Sequence, residues 1–325
     1  MRFSILTLLA AFAVPQAGDP LPKPAFQGDY FGEMARAFGV IVAVDAKERV
    51  VTAKLDKDGR SVRIPVKDDT ELHVRDSWGE LSDYSPGQHV MFFMYVDDDR
   101  NWTYARAIQD DIHMRARHNH FAAIVKIDLE GRTCATQRQE KDGKGNVKRV
   151  NAVFAYAADA KVWKGKTAGG VETLKEGDEV IVQLVERDGK LVASEILDRE
   201  GDNAVRAMQD ERHRQDQDRL GLPAYVTDVE VLSGAVQVTV AWSASDRAKK
   251  DLKPGATVAV VPSEGKPFAA AVCSLQAVDS RQRASMAISA WVAGRLAPGQ
   301  SLRIFLPGTG PEVPQGRAGV PAPKK

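Results

Sequence analysis

Short stretches with apolar residues at every second position alternate along the chain with turns rich in glycine, aspartate and proline. Residues 39–45 are apolar on both faces, whereas residues 51–55 and 62–66 alternate apolar and polar positions around a hairpin turn at 57–60. Residues 90–96 and 102–108 complete five such stretches. A period of two predicts strands, and five strands within about 70 residues predict a small closed barrel.

The same order recurs further along the chain. Residues 122–128 match the first stretch, and residues 150–156, 180–185 and 191–196 follow in the same sequence. Gly87 and Gly177, which open corresponding strands, are 90 residues apart. A period of this length with matching internal order predicts duplication of a whole domain.

A turn motif introduces one strand of each unit. Glycine accepts the positive φ of a type II turn, and a preceding proline presets the backbone. The last two motifs are 44 residues apart, and each belongs to one of two similar three-strand halves. Three strands are too few to fold alone, so we expect the two halves to form one six-stranded barrel or sandwich. The four motifs are Pro86-Gly87, Glu176-Gly177, Pro254-Gly255 and Pro298-Gly299.

The predicted fold is all-β, with tandem small β-barrels, OB-like or SH3-like, joined by short charged helical linkers. The second linker should be a helix capped by Asp202 or Asn203, polar nearly all round, which is typical of a helix that bridges domains in water. The predicted segments are a signal peptide (1–17), an irregular lead-in (18–38), barrel 1 (39–108), a polar linker (109–120), barrel 2 (121–197), a charged helical linker (198–223), barrel or sandwich 3 (224–307) and a disordered tail (308–325).

The N-terminus has the layout of a secretory signal peptide. Arg2 precedes an apolar run at residues 3–14, and small residues follow, so we expect cleavage between Ala13 and Gly18. A twelve-residue helix rises only about 18 Å, short of the ~30 Å hydrocarbon core, and no transmembrane segment is expected after cleavage. The expected location is extracytoplasmic, either periplasmic or secreted. Cys134 and Cys273 lie in strands far apart in sequence and are predicted to be two buried thiols.

Charge narrows the classes of partner. The formal net charge is +1, which together with export argues against nucleic acid and leaves an envelope protein or a polysaccharide as the kind of partner to expect. Trp102 and Tyr104 occupy alternate positions of one strand, with Arg106 next on the same face, and form a candidate ligand surface. No cofactor is expected.

Three of the six histidines, His113, His118 and His120, lie within eight residues. With His89 they are candidate ligands for copper or zinc, because imidazole suits both metals. On one helix, His113 and His120 would share a face but stand about 10 Å apart. The competing interpretation is a solvated linker.

Carboxylates are numerous but do not form a recognisable catalytic pattern. Residues 97–99 are all aspartate and fall in a hairpin turn, where aspartate is favoured for local reasons. The sequence contains neither a Gly-x-Ser-x-Gly elbow nor a phosphate-binding glycine loop. The chain is therefore predicted not to be an enzyme.

The first unit resembles exported bacterial proteins built from small OB-like barrels of unknown function, in the strand pattern of residues 39–45, the Pro86-Gly87 turn and residues 104–108. The second unit shows the same likeness at residues 124–128, 176–178 and 193–196. The resemblance implies a fold and an extracytoplasmic address. The predicted function is an exported, non-enzymatic binding or structural module of the bacterial cell envelope. The alternative is an envelope metal-binding protein using the His113 to His120 cluster, and a third class is a hydrolase of envelope polymers.

Overall fold

The computed structural model describes residues 34–141, 143, 146–278 and 281–313, with the backbone alone for Met34, Asp68 and Asp69. The predicted signal peptide, the lead-in up to residue 33 and the tail from residue 314 lie outside the described residues. The described part of the chain is mostly strand and forms three consecutive barrels joined by helices, which confirms the predicted all-β fold class.

The first barrel has the neighbour order of an OB barrel, β1-β2-β3-β6-β5-β1, with β3 and β6 parallel and the other neighbours antiparallel. Its first strand starts at Met34, so the predicted lead-in is wrong for residues 34–38, which pair with β5. The strands are Met34–Asp45 (β1), Val50–Leu55 (β2), Ser61–Val74 (β3), Ser77–Trp78 (β4), His89–Val96 (β5) and Trp102–Asp110 (β6).

The second barrel repeats this ring as β7-β8-β9-β12-β11-β7, again with one parallel pair, β9 and β12. The repeated order of strands agrees with the predicted duplication. The strands are Ala122–Asp128 (β7), Thr133–Lys141 (β8), Val147–Lys164 (β9), Thr167–Gly169 (β10), Glu179–Arg187 (β11) and Lys190–Asp198 (β12).

The third unit is one closed, entirely antiparallel barrel of six strands in the order β13-β14-β17-β16-β15-β18. Of the two architectures predicted for this unit, the barrel is the one observed. The strands are Leu222–Glu230 (β13), Ala235–Val240 (β14), Thr257–Pro262 (β15), Phe268–Val278 (β16), Arg281–Ala287 (β17) and Ser301–Phe305 (β18).

The four predicted glycine turns share one structure. Gly87, Gly177, Gly255 and Gly299 have φ angles of 85°, 90°, 85° and 85°, as the third position of a type II turn requires. In barrel 3 each turn binds the first strand of the other half, so the two halves are interleaved and complete one barrel together. The glycine N–H groups donate at 2.7–2.8 Å to the carbonyl oxygens of Ile41, Ile124, Val272 and Val226, respectively.

The first linker is a short helix whose first turn is buried, whereas its C-terminal end is exposed. Gln109 and Asp110 end β6, and the Asp110 side chain caps the helix by accepting from the His113 N–H at 2.7 Å. Ile112 is fully buried in a cluster with Phe121, Ile181, Leu197 and Val205. The helices are Asp111–Arg117 (α1), Arg199–Leu220 (α2), Ser245–Asp251 (α3) and Ala290–Ala293 (α4).

Helix α2 packs against all three barrels through polar side chains. It starts earlier than predicted, because Asp198 is the cap and accepts from the Gly201 N–H at 2.6 Å, and it ends at Gly221 with φ 80°. Several of its charged and polar residues bind the barrels, and Val205 is buried in the apolar cluster that contains Ile112. Its contacts are Arg206 with Asp76 and Asp210 with Ser77 in barrel 1, Arg199 with Glu179 in barrel 2, and His213 and Gln217 with the Ser243 carbonyl in barrel 3.

Two further expectations differ from the structure. Cys134 is buried, but Cys273 is exposed because it lies at a bulge of β16 between Val272 and Ser274, so the pair of buried thiols is not observed. The start of the predicted disordered tail is a turn in which the Thr309 N–H donates to Leu306 O at 2.9 Å.

Candidate functional site

A cavity of about 320 Å³ opens in the second barrel. It lies between β11 and the β8–β9 hairpin, with α1 and the segment that follows it at one side. Its volume is near the lower limit of the range usual for small-molecule sites. The lining residues are Arg115, His120, Ala122, Thr136, Arg138, Val150, Ala152, Val153, Phe154, Val180, Ile181, Val182 and Leu184.

The cavity exists because the second barrel is less completely closed than the first. In barrel 1, β1 pairs with β5 at seven positions, from Met34 opposite Tyr95 to Val40 opposite His89. In barrel 2, β7 pairs with β11 at only two positions, because the chain before β7 is helix α1 rather than strand. Beyond Val180, this edge of β11 therefore has α1 and Gln88 of barrel 1 as neighbours instead of a strand of its own barrel.

The hairpin over the cavity is also longer than its counterpart. Strands β8 and β9 pair at nine positions, whereas β2 and β3 pair at five. The additional length brings Arg138 and Val150, which pair with each other across the hairpin, to the cavity. The difference lies in the strands themselves, because β8 has nine residues and β2 has six.

The floor of the cavity is apolar. Ile181 and Val182 are buried, and Phe154 and Leu184 pack half-buried against the core of barrel 2. Burial of apolar surface contributes roughly 25 cal/mol per Å². A ligand with a hydrocarbon or aromatic portion would therefore gain free energy by covering the exposed part of Phe154 and Leu184.

The polar side chains at the cavity are mostly cationic. Burial lowers the pKa of Arg115, opposed by the charge of Asp111 and reinforced by that of Arg138. Burial also lowers the pKa of His120, and Arg138 and His118 add to the effect. The Nε atoms of Arg115 and Arg138 are buried without a hydrogen-bond partner in the described part of the chain.

No carboxylate lines the cavity among the residues that the structure describes. Glu140 forms an ion pair with the Nη2 atom of Arg138 from outside the lining, which leaves the Nε atom of that arginine unbound. The site thus contains two guanidinium groups, and Glu140 partly neutralises that of Arg138.

The structure does not gather the three histidines predicted as metal ligands into one site. The His113 ring stacks on that of His73 at 4.2 Å, and its Nδ1 atom lies 3.5 Å from Asp76 Oδ1. His118 and His120 lie beside each other, with ring centroids 5.5 Å apart. Throughout the described residues, no group of three histidine, cysteine, aspartate or glutamate side chains is arranged to hold a metal ion.

His113 is buried as the neutral ring. Burial lowers its pKa to about 3, and the nearby His73, Arg117 and His118 act in the same direction. Both ring nitrogens lack a hydrogen-bond partner in the part of the chain that is described.

His89, the fourth predicted ligand, connects barrel 1 to barrel 2. Its Nδ1 atom lies 2.9 Å from Asp111 Oδ1, and its Nε2 atom lies 2.9 Å from Asp56 Oδ2. Asp111 Oδ2 in turn accepts from the Leu184 N–H at 3.0 Å, and Gln183 Nε2 donates to His89 O at 2.8 Å. These bonds hold the start of α1, and so the helix that carries Arg115, against β11.

The shared face predicted for Trp102, Tyr104 and Arg106 is not observed. Register shifts in the pairing of β6 with β5 break the alternation, and Trp102 packs against the barrel core instead. Tyr104 is buried beside Tyr95, at 4.8 Å between centroids, and Arg106 forms an ion pair with Glu71 at 3.3 Å. Sequence reasoning did not identify Arg115 or Arg138 as binding residues, because only the fold brings α1 and the hairpin together.

Comparisons with known proteins add little. No protein-family model matches the chain, and no curated protein matches it. Among solved structures, a chain titled as the crystal structure of Ag(I)CusF is 17% identical, and the match covers 23% of this chain and 95% of that chain with a TM-score of 0.18. A likeness at this level assigns neither a fold nor a ligand. None of the helices in the described ranges is long and apolar enough to cross a membrane.

Proposed function

We propose that this protein is an exported, non-enzymatic binding module of the cell envelope, and that the cavity of barrel 2 is its ligand site. The observation that carries the proposal is the difference between the two related barrels: β1 closes barrel 1, whereas α1 and the longer hairpin leave a lined cavity in barrel 2. Likeness to OB-like exported proteins and the signal-peptide pattern of residues 1–17 support the extracytoplasmic part.

The lining favours binding over catalysis. Of the side chains around the cavity, His120 is the one whose ordinary pKa is nearest to neutral pH, and burial lowers it. The Thr136 hydroxyl does not titrate in this range and donates to the Ala152 carbonyl oxygen at 3.3 Å. General acid-base catalysis needs a pair of groups with separated pKa values facing the same substrate, and nucleophilic catalysis needs an activating base. The lining provides apolar contact and positive charge instead.

The architecture suits a receptor that holds its site in a fixed frame. Helix α2 contacts each barrel, and the bonds of His89, Asp111 and Gln183 lock α1 between barrels 1 and 2. A preformed site binds with a smaller loss of conformational entropy than one that must be ordered by its ligand.

Calorimetric titration tests the proposal with three probes that share one alkyl chain: octanoate, octanol and the octyltrimethylammonium ion. At least one should bind with one-to-one stoichiometry. Ala152→Trp should abolish that binding by filling the cavity, whereas Ala168→Trp, an exposed alanine of β10 outside the lining, should leave it intact. Failure of all three probes to bind, or binding that survives Ala152→Trp, would overturn the assignment of the site.

The exported location has its own test. The mature protein recovered from the cells should begin between residues 14 and 18, as read by its intact mass. Recovery of the full-length chain from the cytoplasm would contradict the proposal on this point.

The copper or zinc alternative has less support, since His113 lies apart from the neighbouring His118 and His120. Titration with Cu(I) and Zn(II) distinguishes it. Binding tighter than about 1 μM that is lost in the double variant His118→Ala with His120→Ala would favour the metal function. Weaker binding, or no effect of that variant, would favour the cavity.

A further inference from the structure

The polar half of the cavity in barrel 2 indicates what kind of molecule it takes. We infer that its ligand is an amphipathic anion, with an acidic head group bound between Arg115 and Arg138 and an apolar body lying on the half-buried side chains of Phe154 and Leu184. The inference rests on the proposed function, because it names the class of ligand for that site.

The charges at the cavity favour an anionic ligand. Arg115, Arg138 and His120 line the same cavity, and the charge of Arg138 adds to burial in lowering the pKa of Arg115. Bringing like charges together in a partly buried place is unfavourable unless a counter-charge is present. The two nearby carboxylates have other partners: Asp111 binds His89 and the Leu184 N–H, and Glu140 binds one side of Arg138. An anionic head group would supply the missing charge.

Unpaired hydrogen-bond donors at the cavity also favour an anion. The Nε atoms of both arginines are buried and have no acceptor among the described residues. A buried donor without an acceptor costs about 1–3 kcal/mol, and native structures contain few of them. Carboxylate and phosphate oxygens accept from guanidinium groups in short, charge-assisted bonds. An oxyanion at this position would satisfy both donors.

The apolar part of the lining indicates the rest of the ligand. The cavity floor offers valine, isoleucine, leucine and phenylalanine side chains and no further charge, so a highly hydrated anion would leave this surface uncovered. The volume of about 320 Å³ is sufficient for a small molecule but not for a folded partner. A single acidic group on a compact hydrocarbon or aromatic body matches both halves of the lining.

Position explains how the arginines are held in place. Arg115 belongs to α1, whose first residues are fixed by the caps and bonds of Asp110 and Asp111. Arg138 belongs to β8 and is opposite Val150 in the hairpin ladder. The two cations therefore come from different elements that the fold brings to the same opening.

The test compares the three octyl probes and adds octyl phosphate. Octanoate or octyl phosphate should bind about tenfold or more tightly than octanol, since bonds to charged groups are stronger than neutral ones, and the cation should bind most weakly. The tighter of the two anions identifies the head group. Equal or tighter binding of octanol would overturn the inference while leaving the cavity as a ligand site, whereas no binding by any probe would remove both.

Three variants separate a direct role of the arginines from a change in fold. Arg138→Gln and Arg115→Gln should each weaken anion binding about tenfold and change octanol binding less than about twofold. Glu140→Gln should have the opposite effect and strengthen anion binding, because it removes the competing carboxylate of Arg138. If the anion and octanol weaken together, or if Glu140→Gln weakens the anion, the arginines are not the head-group site.

Discussion

The Nε atom of Arg75 in barrel 1 lies 3.0 Å from the Oε2 atom of Glu195 in barrel 2. Arg75 and the next residue, Asp76, form the turn between β3 and β4 with φ angles of 52° and 58°, which is an unfavourable region for residues other than glycine. Both side chains bind outside their own barrel, Arg75 to Glu195 and Asp76 to Arg206 of α2. The strained turn is thus offset by contacts that join the barrels.

Arg75→Ala should therefore weaken the junction between barrels 1 and 2. A positive φ is as unfavourable for alanine as for arginine, so the substitution does not change the backbone strain. It removes the ion pair and leaves the buried Glu195 without its cation. We expect a loss of about 1–2 kcal/mol, measured as a lower urea midpoint of tryptophan fluorescence, because Trp163 Nε1 donates to the same carboxylate at 2.8 Å. Arg187→Ala is the control: its pair with Asp159 is mostly exposed, and the midpoint should stay unchanged. Equal effects of the two variants would contradict the account.

The bond network of His89 predicts a pH dependence. Burial by itself would lower the pKa of His89, but the hydrogen bonds and charges of Asp111 and Asp56 raise it above its ordinary value. A raised folded-state pKa gives stability that is fully present below about pH 6.5 and is lost as the pH rises through the folded-state value. The charged groups against the ring are these two carboxylates, since Gln183 and Phe38 carry no charge.

His89→Gln should therefore lower the melting temperature more at pH 6 than at pH 9. Thermal denaturation of wild type and variant at both pH values measures the difference. His118→Gln, a change at an exposed histidine, should show no such trend. If wild type and His89→Gln differ in melting temperature by the same amount at both pH values, the ring is not held as a cation between Asp56 and Asp111.

Corresponding turn glycines of barrels 1 and 2 offer a matched pair of substitutions. Alanine at Gly87 or Gly177 meets a left-handed backbone, which costs about 1–2 kcal/mol. At Gly177 the new Cβ meets open space, whereas at Gly87 it would lie 3.1 Å from Val185 Cγ2 in barrel 2. Gly87→Ala should thus lower the unfolding midpoint more than Gly177→Ala, and Val185→Ala should restore part of the difference. Equal decreases in the unfolding midpoint for the two glycine variants, with no recovery on adding Val185→Ala, would mean that Val185 does not restrict the turn at Gly87.

Thiol labelling checks the two cysteines separately. Cys273 is exposed and Cys134 is buried, with burial raising the pKa of Cys134 to about 11. Because the thiolate is the reactive form, the folded protein at pH 8 should react rapidly at Cys273 and only slowly at Cys134. Cys273→Ser should remove the fast phase and Cys134→Ser should keep it. A fast phase that disappears in Cys134→Ser would contradict the packing of barrel 2.

Local patterns were sufficient to predict the strands and the glycine turns. The φ angle of Gly255 follows from the chemistry of Pro254-Gly255, and the doubled order of strands was visible as a 90-residue spacing between Gly87 and Gly177. These features depend on neighbours in sequence, which is why a single chain reveals them. In barrel 3, by contrast, each glycine turn binds a strand of the other half, as Gly255 does with Val272. No local sequence pattern contains that information.

Polar segments were the difficult part of the prediction. Residues 109–117 look solvated, yet Asp111 and His113 are buried because barrels 1 and 2 close over them. Helix α2 has no apolar stripe; besides the buried Val205, it binds the barrels through ion pairs and hydrogen bonds such as that of His213 with Ser243. The cavity was missed for the same reason: its two arginines come from elements that only tertiary contact brings together.

Nuclear magnetic resonance titration of the full chain with octanoate tests the central claim most directly. The account predicts saturable shifts of the backbone amides at residues 180–184 of β11 and at Ala152 of β9, with no comparable shifts at residues 90–94, the corresponding part of the closed first barrel. Shifts that are equal in barrels 1 and 2, or confined to barrel 3, would contradict the claim that the cavity of barrel 2 is the ligand site.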